Sequence, residues 1–192
     1  MKKILILDNY DSFTYNLVHV ITKITHQKVD VFRNNKISLD EIEKYDKIVL
    51  SPGPGIPNEA GIMKDLIKTY GTKKSILGVC LGLQAIAEVF GGTLQNLDEV
   101  FHGVSTSMKV IKKEEPIFKN IPTLFDGGRY HSWIVSSVAV PACLQVTCID
   151  LNNQIMALSH KNFDIKGVQF HPESVLTPWG EKIIENWLNH NR

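Results

Sequence analysis

The sequence predicts an α/β fold: an open, mostly parallel, doubly wound sheet with helices on both faces and an antiparallel β extension. Three observations predict it. The first half of the chain alternates short apolar, β-rich runs with helices of apolar periodicity. The second half is a series of short strand-like runs with few helices between them. One strand-to-helix junction, Gly78-Val79-Cys80-Leu81-Gly82, carries a glycine on either side of a cysteine. At 192 residues the chain can bury a sizeable core, and no Gly-, Ser- or Pro-rich linker divides it, so one domain over 1–192 is expected.

Residues 2–7 form the first strand and end in a polar turn, Asp8-Asn9-Tyr10-Asp11-Ser12. A helix follows with Phe13, Leu17, Val20, Ile21 and Ile24 at helical intervals. Residues 29–32 are a second strand, and Ser38-Leu39-Asp40-Glu41 is a capping-box signature that starts a short helix. The third strand, 47–50, is broken by Ser51-Pro52-Gly53-Pro54-Gly55; 62–70 is helical, and 75–79 is the strand that delivers Cys80. Beyond Gly91-Gly92, strands are expected over 93–97, 104–111, 133–140, 144–150, 155–160 and 165–170. Pro178-Trp179-Gly180-Glu181 then opens a terminal helix with Ile183, Ile184, Trp187 and Leu188 as its apolar stripe.

A formal net charge of +1 with 21% charged residues gives no electrostatic case for nucleic acid or an anionic membrane as partner. No apolar run reaches the length of a membrane span, and Met1-Lys2-Lys3 leads into a strand rather than a signal peptide, so a cytoplasmic location is expected. Cys80, Cys143 and Cys148 have neither the number nor the spacing of a disulfide framework or zinc site.

The junction at Cys80 is the grammar of a nucleophile elbow, where a strand breaks into a helix and holds one side chain proud of the sheet. A thiol there lies over the free N–H groups of a helix N-terminus, which favour thiolate and can hold a developing oxyanion. A thiol nucleophile needs a base, and the base an orienting group. Of seven histidines, His171 stands apart: Gly167-Val168-Gln169-Phe170-His171-Pro172-Glu173 places it just past a strand end. In extended geometry Glu173, two residues on, projects to the same face. The stiff 51–55 loop lies at the same sheet edge, where a backbone N–H could serve the oxyanion beside that of Leu81.

Gly78-Val79-Cys80-Leu81-Gly82, the Pro-Gly-Pro-Gly loop and Phe170-His171-Pro172-Glu173 together resemble the class I glutamine amidotransferases. The opening Asp8-Asn9-Tyr10-Asp11-Ser12-Phe13-Thr14-Tyr15-Asn16 resembles the amidotransferase subunits of anthranilate synthase and of aminodeoxychorismate (para-aminobenzoate) synthase. The resemblance implies that Cys80 attacks the amide of L-glutamine, that His171 is base and then acid, and that Glu173 orients it. It implies an oxyanion hole from the Gly53 and Leu81 N–H groups, and glutamine held by Gly53, Gly55, Gln84 and the Ser132-Trp133 backbone. It implies no cofactor in this chain, Mg²⁺ belonging to the synthase subunit.

The partner implied is a chorismate-binding synthase subunit, component I of either enzyme, docking around Asp8, Asn9, Tyr10, Asp11, Ser12 and His102. Leu83 stands where the family often has His, Trp133 where Leu is usual, and Val104 follows His102-Gly103 where Lys is common. The last departure tilts the resemblance toward anthranilate synthase, in tryptophan biosynthesis, over the folate route, though one chain can serve both. Two other readings stay open at this level: a cysteine peptidase or thiol hydrolase on a similar scaffold, and a non-catalytic module that keeps the fold.

Overall fold

A computed structural model describes residues 2–190; Met1, in the expectation of a strand without a signal peptide, and the last two residues of the expected domain lie outside them. The strands are β1 Ile4–Asp8, β2 Asp30–Arg33, β3 Lys47–Leu50, β4 Ser75–Val79, β5 Leu94–Asn96, β6 Val104–Val110, β7 Leu124–Arg129, β8 Trp133–Val135, β9 Leu144–Asp150, β10 Ile155–His160 and β11 Ile165–Val168. The helices are α1 Thr14–Thr25, α2 Leu39–Ile42, α3 Met63–Tyr70, α4 Leu81–Val89 and α5 Gly180–Asn189.

Nine strands make one sheet in the order β2-β1-β3-β4-β11-β10-β9-β6-β7, while β5 and β8 pair separately. From β2 to β11 the neighbours are parallel, and from β11 to β7 antiparallel. The last strand of the chain therefore returns to the centre and lies beside β4, with Gly167 opposite Gly78 and Val168 opposite Val79. That return brings the segment after β11 next to Cys80.

Alternation along the strands divides the core between two faces. Ile4 and Ile6 pack with Leu17 and Ile21 of α1 and with Ile183, Ile184 and Trp187 of α5. Leu5 and Leu7 pack with Ile42, Met63, Leu66, Ile67 and Ile86 on the opposite face. Each such side chain, fully sealed, contributes about 1.5–3 kcal/mol of burial. The Ser38–Glu41 capping box forms as the sequence predicts, the Glu41 carboxylate accepting from the Ser38 N–H at 2.9 Å.

The chain departs from expectation in its second half. β7 carries no strand signal in the sequence because Asp126-Gly127-Gly128 reads as a turn, yet it is the sheet's terminal strand. Its glycines are required by packing: a Cβ on Gly127 would lie 2.9 Å from Met108 and 3.2 Å from the Phe170 Cβ. The expected strand over 133–140 ends at Val135. Among the described residues no helix is long and apolar enough to cross a membrane.

Candidate active site

Cys80 is the N-cap of α4 and has φ 52° and ψ −101°, a backbone conformation that a side chain-bearing residue adopts at a cost. The flanking glycines permit it. A Cβ on Gly78 would lie 2.5 Å from the Gly82 carbonyl carbon, and one on Gly82 would lie 2.6 Å from the Leu50 oxygen. Strand β4, helix α4 and strand β3 thus touch backbone to backbone around the cysteine, and the elbow is the tight one its sequence implies. The first turn of α4 leaves the N–H of Leu81 without an intrahelical acceptor. Gly53 abuts this turn: a Cβ on it would lie 2.8 Å from Leu81 Cδ2 and 2.6 Å from the Asn9 Cβ.

His171 and Glu173 meet, but in a turn and not in the extended geometry expected. The Ser174 N–H donates to the His171 carbonyl, which curls the chain so that His171 Nδ1 lies 2.7 Å from Glu173 Oε1. Gly128 of β7 and Thr177 clamp the His171 backbone: its N–H donates to the Gly128 carbonyl, and its carbonyl accepts from Thr177 Oγ1 at 2.7 Å. A Cβ on Gly180 would overlap the Pro172 carbonyl, so α5 begins in direct contact with this turn.

The other ring nitrogen, Nε2, is buried and has no closed hydrogen bond among the described residues. Cys80 nevertheless bears on it: burial pulls the His171 pKa down, but the Cys80 sulfur and the Glu173 carboxylate outweigh burial and push it up to about 10. A nucleophile–base contact that is loose in the free protein tightens when substrate seats. Phe13 and Tyr130 roof the ring, with centroids 5.2 and 4.7 Å from it.

A cavity of about 200 Å³ opens beside Cys80 and is lined by Gly53, Gly55, Gln84, His131, Ser132 and Trp133, among others. All five residues expected to hold glutamine are there. The Gln84 amide donates to the Trp133 carbonyl at 2.8 Å and to Gln169 Oε1 at 3.2 Å. Trp133 therefore engages through its backbone, and its indole in place of Leu leaves that contact intact. Leu83 packs on β11, 2.7 Å from where a Gly167 Cβ would be.

The outer wall rests on a buried cation. Arg129 donates to His131 Nε2 at 3.1 Å, pairs with Asp150 at 2.8 Å, donates to Gln154, and stacks 3.6 Å from the Phe101 centroid. Burial, Arg129 and His171 together push the His131 pKa down to about 3, so the ring is neutral and carries its proton on Nδ1. The sequence gives no site role to Tyr130, Arg129 or Gln169, and it places Phe13 in the apolar stripe of the first helix. Phe13 instead caps α1 and packs on His171, which is distant from it and from Tyr130 in the chain, as Cys80 is from Gln169.

The expected docking segment is divided by burial. Asp8 and Asn9 are only 8% and 2% exposed. Asp8 accepts from the Tyr10 N–H and Thr14 hydroxyl, and Asn9 is tied to Ser51 and Asn34. These two side chains brace the loops under the site and have no surface to offer a partner. Tyr10, Ser12 and His102 are exposed, and Asp11 partly so. No three His, Cys, Asp or Glu side chains among the described residues form a metal-binding group.

The family model of class I glutamine amidotransferases matches residues 5–191. The chain belongs to that family. The amidotransferase is 44% identical over 192 residues to anthranilate synthase component 2 of Azospirillum brasilense, covering 98% of this chain and 96% of that one. It is 42% identical over 191 residues to aminodeoxychorismate/anthranilate synthase component 2 of Bacillus subtilis, covering 98% and 97%. A glutamine amidotransferase structure from Thermotoga maritima matches it with a TM-score of 0.82 at 14% identity, over 97% of this chain and 96% of that one, a likeness of fold alone.

Proposed function

We propose that this amidotransferase is the glutaminase subunit of a chorismate-using synthase, with anthranilate synthase the first choice. The observation that carries the chemistry is the elbow cysteine, Cys80, facing a histidine oriented by Glu173 at the mouth of a small cavity. His171 takes the proton of the Cys80 thiol, and the sulfur attacks the side-chain amide carbon of glutamine. The N–H groups of Gly53 and Leu81 hold the tetrahedral oxyanion, and His171 gives a proton to the departing nitrogen. Ammonia leaves and a γ-glutamyl thioester remains on Cys80. His171 then takes a proton from water, which attacks the thioester and releases glutamate and the thiol. The cavity of about 200 Å³ beside Cys80 has room for a single amino acid.

The names of the Azospirillum and Bacillus relatives support a synthase component I as partner. Ammonia released to water would be lost to protonation and dilution, so a protected route to the acceptor fits this chemistry. We place the docking face on Tyr10, Asp11, Ser12 and His102, and any Mg²⁺ on the partner. Reconstitution with purified component I of each synthase tests the reading. Glutamine-dependent anthranilate formation supports the first choice, aminodeoxychorismate alone supports the folate alternative, and failure of both with ammonia-competent partners overturns it. Tyr10→Glu and Ser12→Arg should weaken the complex while the free subunit melts normally.

A further inference from the structure

Gln169 is fully buried and leaves β11 two residues before His171. β11 ends at Val168, yet Gln169 and His171 both reach Cys80, while Phe170 between them packs in the core against Phe125, 5.5 Å centroid to centroid. The Gln169 Nε2 lies 3.5 Å from Cys80 Sγ. Its polarity is fixed by a directional chain. The Trp133 carbonyl can only accept, so Gln84 must present its nitrogen there at 2.8 Å. The second N–H of the same nitrogen reaches Gln169 Oε1 at 3.2 Å. Gln169 is left with its NH₂ group toward the sulfur.

We propose that Gln169 is a catalytic residue of this site: it donates a hydrogen bond to the Cys80 sulfur, stabilises it as thiolate, and is aimed by Gln84. The proposal rests on the reading of Cys80 as nucleophile. A hydrogen bond to an ionised acceptor is about twice as strong as one between neutral groups, so this donor favours thiolate over thiol. The same bond acts twice in a turnover. It raises the fraction of attacking thiolate, and it strengthens again when the thioester C–S bond breaks and the electron pair returns to sulfur. A purely structural Gln169 would join β11 to α4 without altering the ionisation of the thiol.

The test is the pH dependence of Cys80 alkylation by iodoacetamide in the free subunit, followed by peptide mass. Gln169→Met removes the donor at nearly constant volume, and Gln169→Glu replaces it with an acceptor. Both should move the alkylation midpoint toward alkaline pH, the Glu variant further, with a roughly tenfold loss of rate for each unit moved at pH values below the midpoints. Gln84→Met, which leaves Gln169 present but unaimed, should shift the midpoint in the same direction by less, and decides the matter if the Gln169 variants do not fold. Folded variants with the wild-type midpoint would overturn the proposal. The assay contains neither glutamine nor partner, so a chain that failed to hydrolyse glutamine would still report on Gln169, and the two failures are distinguishable.

Discussion

Nδ1 of His171 lies 2.7 Å from Oε1 of Glu173, with the two side chains only 2% and 0% exposed. The carboxylate accepts the ring's Nδ1 proton, which fixes the imidazole so that Nε2 is the nitrogen left for Cys80. Glu173→Gln removes the charge but keeps the shape. We expect it to lower glutamine-dependent turnover by about 10²-fold, against about 10⁴-fold or more for Cys80→Ala, which removes the attacking atom. Steady-state rates of both variants with the synthase partner check this; equal losses would assign Glu173 more than orientation.

The same pair sets a pH dependence of stability. The folded-state pKa of His171 is raised from 6.5 to about 10, so the charged ring stabilises the fold fully below 6.5 and that stabilisation is lost as pH rises through about 10. Thermal melts of the free subunit should fall across this window. In Glu173→Gln the fall should be smaller and complete at lower pH, because one of the groups holding the proton is gone. His131 acts in the opposite sense: its folded pKa of about 3 makes it cost stability as pH falls from 6.5 toward 3.

Gly82→Ala should separate folding from chemistry. The added methyl would lie 2.6 Å from the Leu50 carbonyl oxygen, 2.8 Å from the Leu50 Cβ and 3.2 Å from the Leu50 carbonyl carbon. We expect about 3 kcal/mol of destabilisation in urea unfolding and loss of activity in the part that still folds, since the elbow must open to admit the methyl. A variant as stable and active as wild type would contradict the close approach of α4 to β3.

Trp133→Leu should be nearly silent. The contact that Trp133 makes with Gln84 uses its backbone carbonyl, at 2.8 Å, and the substitution leaves that atom in place. Glutamine KM and kcat should stay within about twofold. A large rise in KM would show that the indole itself touches the substrate.

Much of this site was legible in the sequence because its chemistry is local. The elbow needs glycines two residues either side of Cys80, and the base and its orienter are two residues apart, so both motifs are compact. The residues expected to hold glutamine came through the family resemblance, and they line the cavity beside Cys80. The supporting residues were not legible. Arg129 sits at the end of a strand that Asp126-Gly127-Gly128 disguises as a turn, and its partners Asp150 and Gln154 are over 20 residues away. Asp8 and Asn9 look like surface polar residues until Ser51, Asn34 and Thr14 are seen to consume their hydrogen-bonding capacity. Gln169 has no chemical signal of its own, and only the return of β11 to the side of β4 brings it to the sulfur.

Covalent trapping tests the central claim most directly. The protein, incubated with its partner and glutamine and quenched in acid, should carry one γ-glutamyl group, and peptide mapping should place it on Cys80. An adduct on any other residue, or none at all from a preparation that turns over glutamine, would contradict the account.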